Sequence, residues 1–378
     1  MATIRRNYMD NSIYMHIAEK IDENPIMAPK SEDRTAFHPS FIKYLKLVYS
    51  PQEAELLQHF PRPNKFISIQ EVSDIAGKDI RSVERILSGL HQRNGIIGMG
   101  NSYSLPGLQL LLNIHQFYSD VKSEDIEAAQ LYREFFINGG FYKNYESSFK
   151  GTPLMRVIPV DKAISADQQK LTAEEAHDFI INHAPDEMAL VPCPCRTRTE
   201  KIGSRECKSR FPIGTCIMMG PLALHFEMLK LGKRVTRQQA VSYFDEMQTL
   251  GLVGMTDNSI KDGTVICLCC ECCCSQIRGR TRWDNPDSVL ESNFVPLAND
   301  DCVGCGTCVE RCFFGALSLD EETNQAVVES EKCIGCGICA LACPQEALKL
   351  QRYERTTPFG TTRELVKAVA MENREGSG

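Results

Sequence analysis

Two cysteine runs constrain this chain more than any other feature: Cys302-x2-Cys305-x2-Cys308-x3-Cys312 and Cys333-x2-Cys336-x2-Cys339-x3-Cys343-Pro344. Each iron of a four-iron cubane wants one thiolate. A tight C-x2-C-x2-C loop wraps three around one cluster, while the fourth cysteine, on the short helix that follows, points to the neighbouring cluster. The spacing predicts two [4Fe-4S] clusters. One is held by Cys302, Cys305, Cys308 and Cys343, the other by Cys333, Cys336, Cys339 and Cys312. Gly304, Gly306, Gly335 and Gly337 let the backbone turn closely and bring amide N–H groups near the sulfurs. Four thiolates also suit zinc, but two interlocked runs favour cubanes.

The runs form an internal repeat: 302–319 aligns with 333–350 without gaps, and Ala326-Val327-Val328 between them reads as a short strand. This stretch resembles the two-cluster bacterial-type ferredoxins, which implies a pseudo-symmetric βαββαβ unit over 291–352. Phe313 departs from the family pattern, which usually has proline after the fourth cysteine; the departure touches the local turn rather than the ligand.

All eighteen cysteines lie between Cys193 and Cys343. No apolar stretch follows the basic N-terminal residues as in a secretory signal, and no run approaches the roughly 18 apolar residues that cross a bilayer. A reducing cytoplasm is the expected setting, where dense cysteine means metal rather than disulfides. Between Glu291 and Arg352 there are ten acidic and four basic residues, a negative surface suited to a partner with a positive docking patch.

Ten further cysteines fall in a middle segment, 121–290: Cys193, Cys195, Cys207 and Cys216, then Cys267, Cys269, Cys270, Cys272, Cys273 and Cys274. Six thiols in eight residues are soft-metal binding by composition. They predict a third iron–sulfur cluster and leave material for a fourth. Ala189-Leu190-Val191 reads as a strand leading into Cys193-Pro194-Cys195-Arg196, with Cys207 and Cys216 in a basic loop. Val265-Ile266 reads as a strand end and Gln276-Ile277-Arg278 as a helix start, so the six-cysteine run is expected on a connecting loop. Arg196, Arg198, Lys201, Arg205, Lys208 and Arg210 could offset cluster charge, and His183 and His225 are minor ligand candidates.

In the cysteine-free half, 68–77 reads as a short helix ending at Gly77. The segment 79–90 reads as a second helix with Ile80, Val83, Ile86, Leu87 and Leu90 on one face. Gly95–Met99 and Tyr103–Leu105 read as a hairpin, so 36–120 has the order of a winged helix-turn-helix. Its second helix carries Arg81, Arg85, His91 and Arg93 against Asp79 and Glu84, hardly the basic stripe that duplex binding needs. Nucleic acid is therefore not the expected partner. A Gly251–Met255 phrase after a helix at 238–250 nearly repeats Gly95–Met99. Residues 1–35, broken by Pro25 and Pro29, are expected as an extended arm, and 353–378 as a tail with one helix at 362–371.

The whole resembles large ferredoxin-domain proteins of anaerobic bacteria and archaea. These join a winged-helix-like N-terminal part to a middle part with C-x-C-R and C-x-C-C-x-C-C-C motifs and a terminal two-cluster ferredoxin. The expected class is α+β, with an α/β cysteine-rich middle domain. Neither a G-x-G-x-x-G nor a G-x-x-x-x-G-K-[ST] loop is present, nor is a nucleophile–base pair recognisable. The composite predicts an electron-transfer protein or subunit working with a flavoprotein or another iron–sulfur oxidoreductase. A redox-sensing regulator and an enzyme with a catalytic middle-domain cluster are the alternatives.

Overall fold

The computed structural model describes residues 2–23, 25–118, 120–168, 170–171, 173–355 and 357–375. It is a mixed α+β chain. Among the described residues, no helix is long and apolar enough to cross a membrane.

The N-terminal half packs around an aromatic-rich core. Where the sequence predicts an extended arm, the structure has a helix, Ala2–Asp22, ending before Pro25. Tyr14, Ile17, Ala18 and Ile21 recur at helical spacing and are buried, and the Tyr14 hydroxyl donates to Tyr49 O at 2.7 Å. Ser68 and Glu71 form a reciprocal capping box that starts Ile69–Ala76, and Gly77, at φ +60°, ends it. Asp79 caps Ile80–Gln92, which buries Val83, Leu87 and Leu90. Ile80, in the first turn, remains 40 % exposed. Strands Ile97–Met99 and Ser102–Ser104 pair as an antiparallel hairpin, and Ile67–Ser68 adds along the second strand.

This core runs past residue 120. Tyr132, Phe135, Phe136, Phe141, Tyr145 and Leu154 belong to it, as do Leu365 and Val369 from the far end of the chain. The segment treated as a tail returns. Phe359–Thr361 pairs in parallel with Ser259–Lys261, helix Thr362–Glu375 follows, and Asn373 Nδ2 donates to Pro25 O at 2.6 Å. Residues 376–378 of that tail and Met1 of the arm lie outside the described residues.

The middle segment is built on a six-stranded antiparallel sheet. Its spatial order is Met155–Ile158, Val253–Asp257, Val265–Cys269, Thr215–Met219, Met188–Pro192, Lys233–Val235. Thr236 and Gln239 cap Arg237–Leu250, and Gly251, at φ +104°, ends that helix before the strand. The near-repeat of Gly95–Met99 is thus again a helix followed by a strand.

The last unit runs strand Phe294–Ala298, helix Thr307–Arg311, strands Leu317–Leu319 and Ala326–Val328, helix Ile338–Leu341, strand Leu348–Arg352. The outer strands pair with each other, as do the inner two. It docks on the middle sheet: Val160 N donates to Cys336 O at 3.0 Å. Ile334, Ile338 and Leu350 share a core with Val157, Val253 and Ile277.

Candidate metal centres

In the last unit, one recess of about 400 Å³ is lined by Cys312, Cys333, Cys336 and Cys339, with Phe313 and Phe314 in its wall. A second, of about 310 Å³, is lined by Cys302, Cys305, Cys308 and Cys343. These are the two sets that the interlocked spacing brings together. Phe313, in place of proline, packs against Phe314 with ring centroids 5.1 Å apart.

Two glycines are required by shape. Gly304 and Gly335 occupy equivalent places in the repeat, at φ +65° and +69°. A Cβ at Gly304 would strike Asn324, and one at Gly335 would strike Ser292 Oγ and the Phe294 carbonyl. Gly335 N approaches Cys333 Sγ at 3.4 Å, an amide turned toward sulfur. Arg355 holds the same loop by donating to Cys333 O at 2.7 Å and Ser292 O at 3.0 Å. Burial, first of all, pushes the Cys336 thiol up to about 12. Cys305 is exposed, with Thr307 Oγ1 at 3.4 Å.

The ten middle cysteines separate into two groups that the sequence does not distinguish. Cys207, Cys270, Cys272 and Cys273, all buried, place their sulfurs within 4.8 Å of one another. Cys193, Cys195, Cys274, Cys269, Cys267 and Cys216 neighbour one another in that order around a ring, the last beside the first, and no three of them close as tightly as the tetrad does.

Sheet geometry makes the ring. Cys267 and Cys269 are two apart on a strand, so they face one side while Ile266 and Leu268 face the other. The pairing of Ile266 with Ile217 puts Cys216 opposite Cys267, and Cys216 pairs in turn with Val191. Two residues beyond Val191, Cys193 immediately precedes helix Pro194–Lys201, whose first turn carries Cys195. Cys274 immediately precedes helix Ser275–Arg282. Both helix N-termini therefore bear on the ring, where their dipoles favour thiolate. The six-cysteine run is not all loop, since Cys267 and Cys269 belong to the strand. Cys216 likewise lies on Thr215–Met219 rather than in a basic loop.

Arg196 is 1 % exposed. Its Nε donates to Ile213 O at 2.5 Å and Nη1 to Leu268 O at 2.6 Å. Among the described residues Nη2 has no oxygen or nitrogen partner. Thiolate charge from Cys193, Cys270, Cys216 and Cys269 outweighs burial and raises its pKa. A buried donor without an acceptor, surrounded by thiols of both groups, fits a site built for a negatively charged metal–sulfur centre. Arg205 lies beside Cys207, whose charge helps raise its pKa against the effect of burial, and Thr199 Oγ1 donates to Cys273 Sγ at 3.0 Å.

The other basic residues are engaged elsewhere: Arg198 with Leu112 O at 3.0 Å, Lys201 with Asp125 at 3.3 Å, Lys208 with Glu200 at 2.7 Å and Arg210 with Glu271. His225 pairs with Asn94 at 2.7 Å and His183 with Asp178 at 3.1 Å, so neither is directed at the cysteines. Sequence reasoning missed Thr199 and Glu146. Glu146 is a fully buried carboxyl whose pKa burial raises far above the usual range, with Cys274 adding to the effect.

Residues 301–347 match the family model described as 4Fe-4S dicluster domain. This segment is an iron–sulfur domain of the ferredoxin type. Comparison with curated proteins finds no match, and neither does comparison with solved structures. The ferredoxin-type domain thus follows a middle segment that carries ten further clustered thiols.

Proposed function

We propose that the chain is an electron-transfer protein or subunit. In this reading the ferredoxin-type unit exchanges single electrons with a partner oxidoreductase, flavoprotein or iron–sulfur, and the six-thiol ring is the next station inward. Bound four-iron clusters supply one-electron chemistry over a wide range of potentials.

The observation that carries the reading is the order of the sites. Cys305, exposed, marks the outer recess. Cys308 and Cys339 share one small core with Cys302, Cys312 and Cys343 and join the outer recess to the inner. Cys336, Phe313 and Phe314 of the inner recess share the next core with Cys267, Cys269 and Cys274 of the ring. The thiol groups therefore follow one another from surface to interior. Around the outer recess Asp300, Asp301, Glu310 and Glu346 are exposed, and Leu297 and Val303 are 59 % and 61 % exposed. An acidic rim with apolar residues suits a basic partner surface.

The first unit, with its helix pair and hairpin, serves as a winged-helix-like packing module. Arg93 bonds Glu53 at 2.6 Å and His91 faces Ile96 O at 3.2 Å. That leaves Arg81 and Arg85 exposed beside Glu84, too little charge for duplex binding.

The test is electron exchange between dithionite-reduced chain and small dyes of opposite charge. A cationic viologen should outpace an anionic one at low ionic strength, and the gap should close as salt screens the rim. Equal rates at low salt contradict the acidic docking face. Failure to take up and return electrons reversibly contradicts the whole reading.

A further inference from the structure

The three kinds of thiol group differ in how tightly they close. A cubane interposes irons and sulfides between its thiolates and so keeps them out of mutual contact. A single tetrahedral ion does the opposite. With Zn–S near 2.3 Å, the sulfurs sit about 3.8 Å apart along every edge of the tetrahedron.

The buried tetrad has the second geometry. Cys207 Sγ lies 3.7 Å from Cys270 Sγ and 3.8 Å from Cys273 Sγ. Cys272 Sγ lies 3.9 Å from Cys270 Sγ and 3.3 Å from Cys273 Sγ. The remaining two edges, Cys207 to Cys272 and Cys270 to Cys273, also close within 4.8 Å. Among the described residues, no other group of three or more metal-ligating side chains closes within 4.8 Å. The ferredoxin-type recesses and the six-thiol ring are open; the tetrad is shut.

We propose that Cys207, Cys270, Cys272 and Cys273 bind one tetrahedral zinc ion rather than an iron–sulfur cluster, and that this ion fixes the turn presenting Cys269 and Cys274 to the ring. The run from Cys267 to Cys274 feeds both sites. Its outer members, Cys267, Cys269 and Cys274, belong to the ring, and its inner ones, Cys270, Cys272 and Cys273, to the tetrad. Cys207 arrives from the short helix Glu206–Ser209. That helix is tied to the end of Ser275–Arg282 by the two-pronged Arg282–Glu206 pair at 2.8 Å and 2.8 Å. On binding, four thiols release their protons to solvent and the divalent ion leaves a site with two negative charges. Arg205 against Cys207 and the buried Arg196 offset that charge, and Thr199 donates to Cys273 Sγ. With four protein sulfurs and no open position, the ion is structural.

The proposal is independent of whether the ring carries iron. The test uses the full chain, purified without oxygen, with metals counted by mass spectrometry and the zinc edge examined by X-ray absorption. The expected result is about one zinc per chain with four sulfur neighbours at about 2.3 Å and no metal neighbour. Cobalt supplied in place of zinc should give the visible spectrum of a tetrahedral tetrathiolate ion. Cys207→Ser should abolish that spectrum, whereas Cys216→Ser, in the ring, should keep it. Absence of zinc, a mixed nitrogen or oxygen shell, or mononuclear iron in place of zinc would overturn the assignment. So would loss of the cobalt spectrum in Cys216→Ser with retention in Cys207→Ser. The absorption experiment needs no variant, so misfolding of Cys207→Ser leaves the proposal decidable. A ring without iron beside a zinc-filled tetrad would refute the relay and leave the zinc site standing.

Discussion

His225 joins the first unit to the middle one, and the joint should weaken in acid. The side chain is 3 % exposed. Its Nε2 faces Asn94 Oδ1 at 2.7 Å, its ring lies 5.6 Å from that of His91, and Nδ1 has no partner among the described residues. Burial, and then the neighbouring His91, push its pKa from 6.5 down to about 4. The unfolded chain takes up a proton near pH 6.5 while the folded one refuses it until about pH 4. Stability from this residue is therefore complete above pH 6.5 and declines as pH falls toward 4. At pH 5 the linkage relation gives a loss of about 2 kcal/mol. The assay is anaerobic denaturant unfolding at pH 7.5 and pH 5, comparing the chain with His225→Gln. Cluster lability in acid is common to both and cancels. The native chain should lose about 2 kcal/mol more than the variant between the two pH values. Parallel losses would refute the claim that His225 is held neutral at this joint.

Gly335→Ala should cost about 1–3 kcal/mol for the left-handed backbone alone, with the collision against Ser292 and Phe294 added. Gly306→Ala, at φ +76° with open space around it, should cost only the backbone part; equal iron loss in the two variants, measured per folded chain, would contradict this. Arg196→Met should cost roughly 3–5 kcal/mol by leaving buried thiolate charge without its counter-charge. Iron should fall in the middle segment while the ferredoxin-type EPR signal persists; unchanged iron would show that Arg196 plays no such part. Cys336→Ser should remove the inner cluster and abolish the spin coupling expected of two reduced neighbouring clusters in the native chain, leaving one isolated signal. A coupled spectrum in that variant would argue against the cysteine sets as drawn.

What could be read from sequence is what lies close along the chain. The two C-x2-C-x2-C-x3-C runs encode their sets by spacing alone, and 312 joins 333, 336 and 339 around one recess. Glycine stops did as well: the helices read at 68–77 and 238–250 end at Gly77 and Gly251, both in left-handed backbone. The division of the ten middle cysteines was not legible. It depends on sheet register, which sets Cys216 opposite Cys267, and on the fold returning Cys207 to a turn far along the chain. The helix Ala2–Asp22 escaped notice because its apolar residues are sparse among polar ones and become meaningful only against Tyr49. The last helix buries just Leu365, Val369 and Asn373, too few to announce that the chain's end returns to its first core.

The relay is tested most directly by iron and acid-labile sulfide per chain on anaerobically purified protein. Two cubanes hold about eight irons. A filled ring beside a zinc tetrad predicts about twelve irons or more, with sulfide in step. Iron stopping at about eight, with the ring thiols free to react with alkylating reagent, would contradict the ring as the inner station.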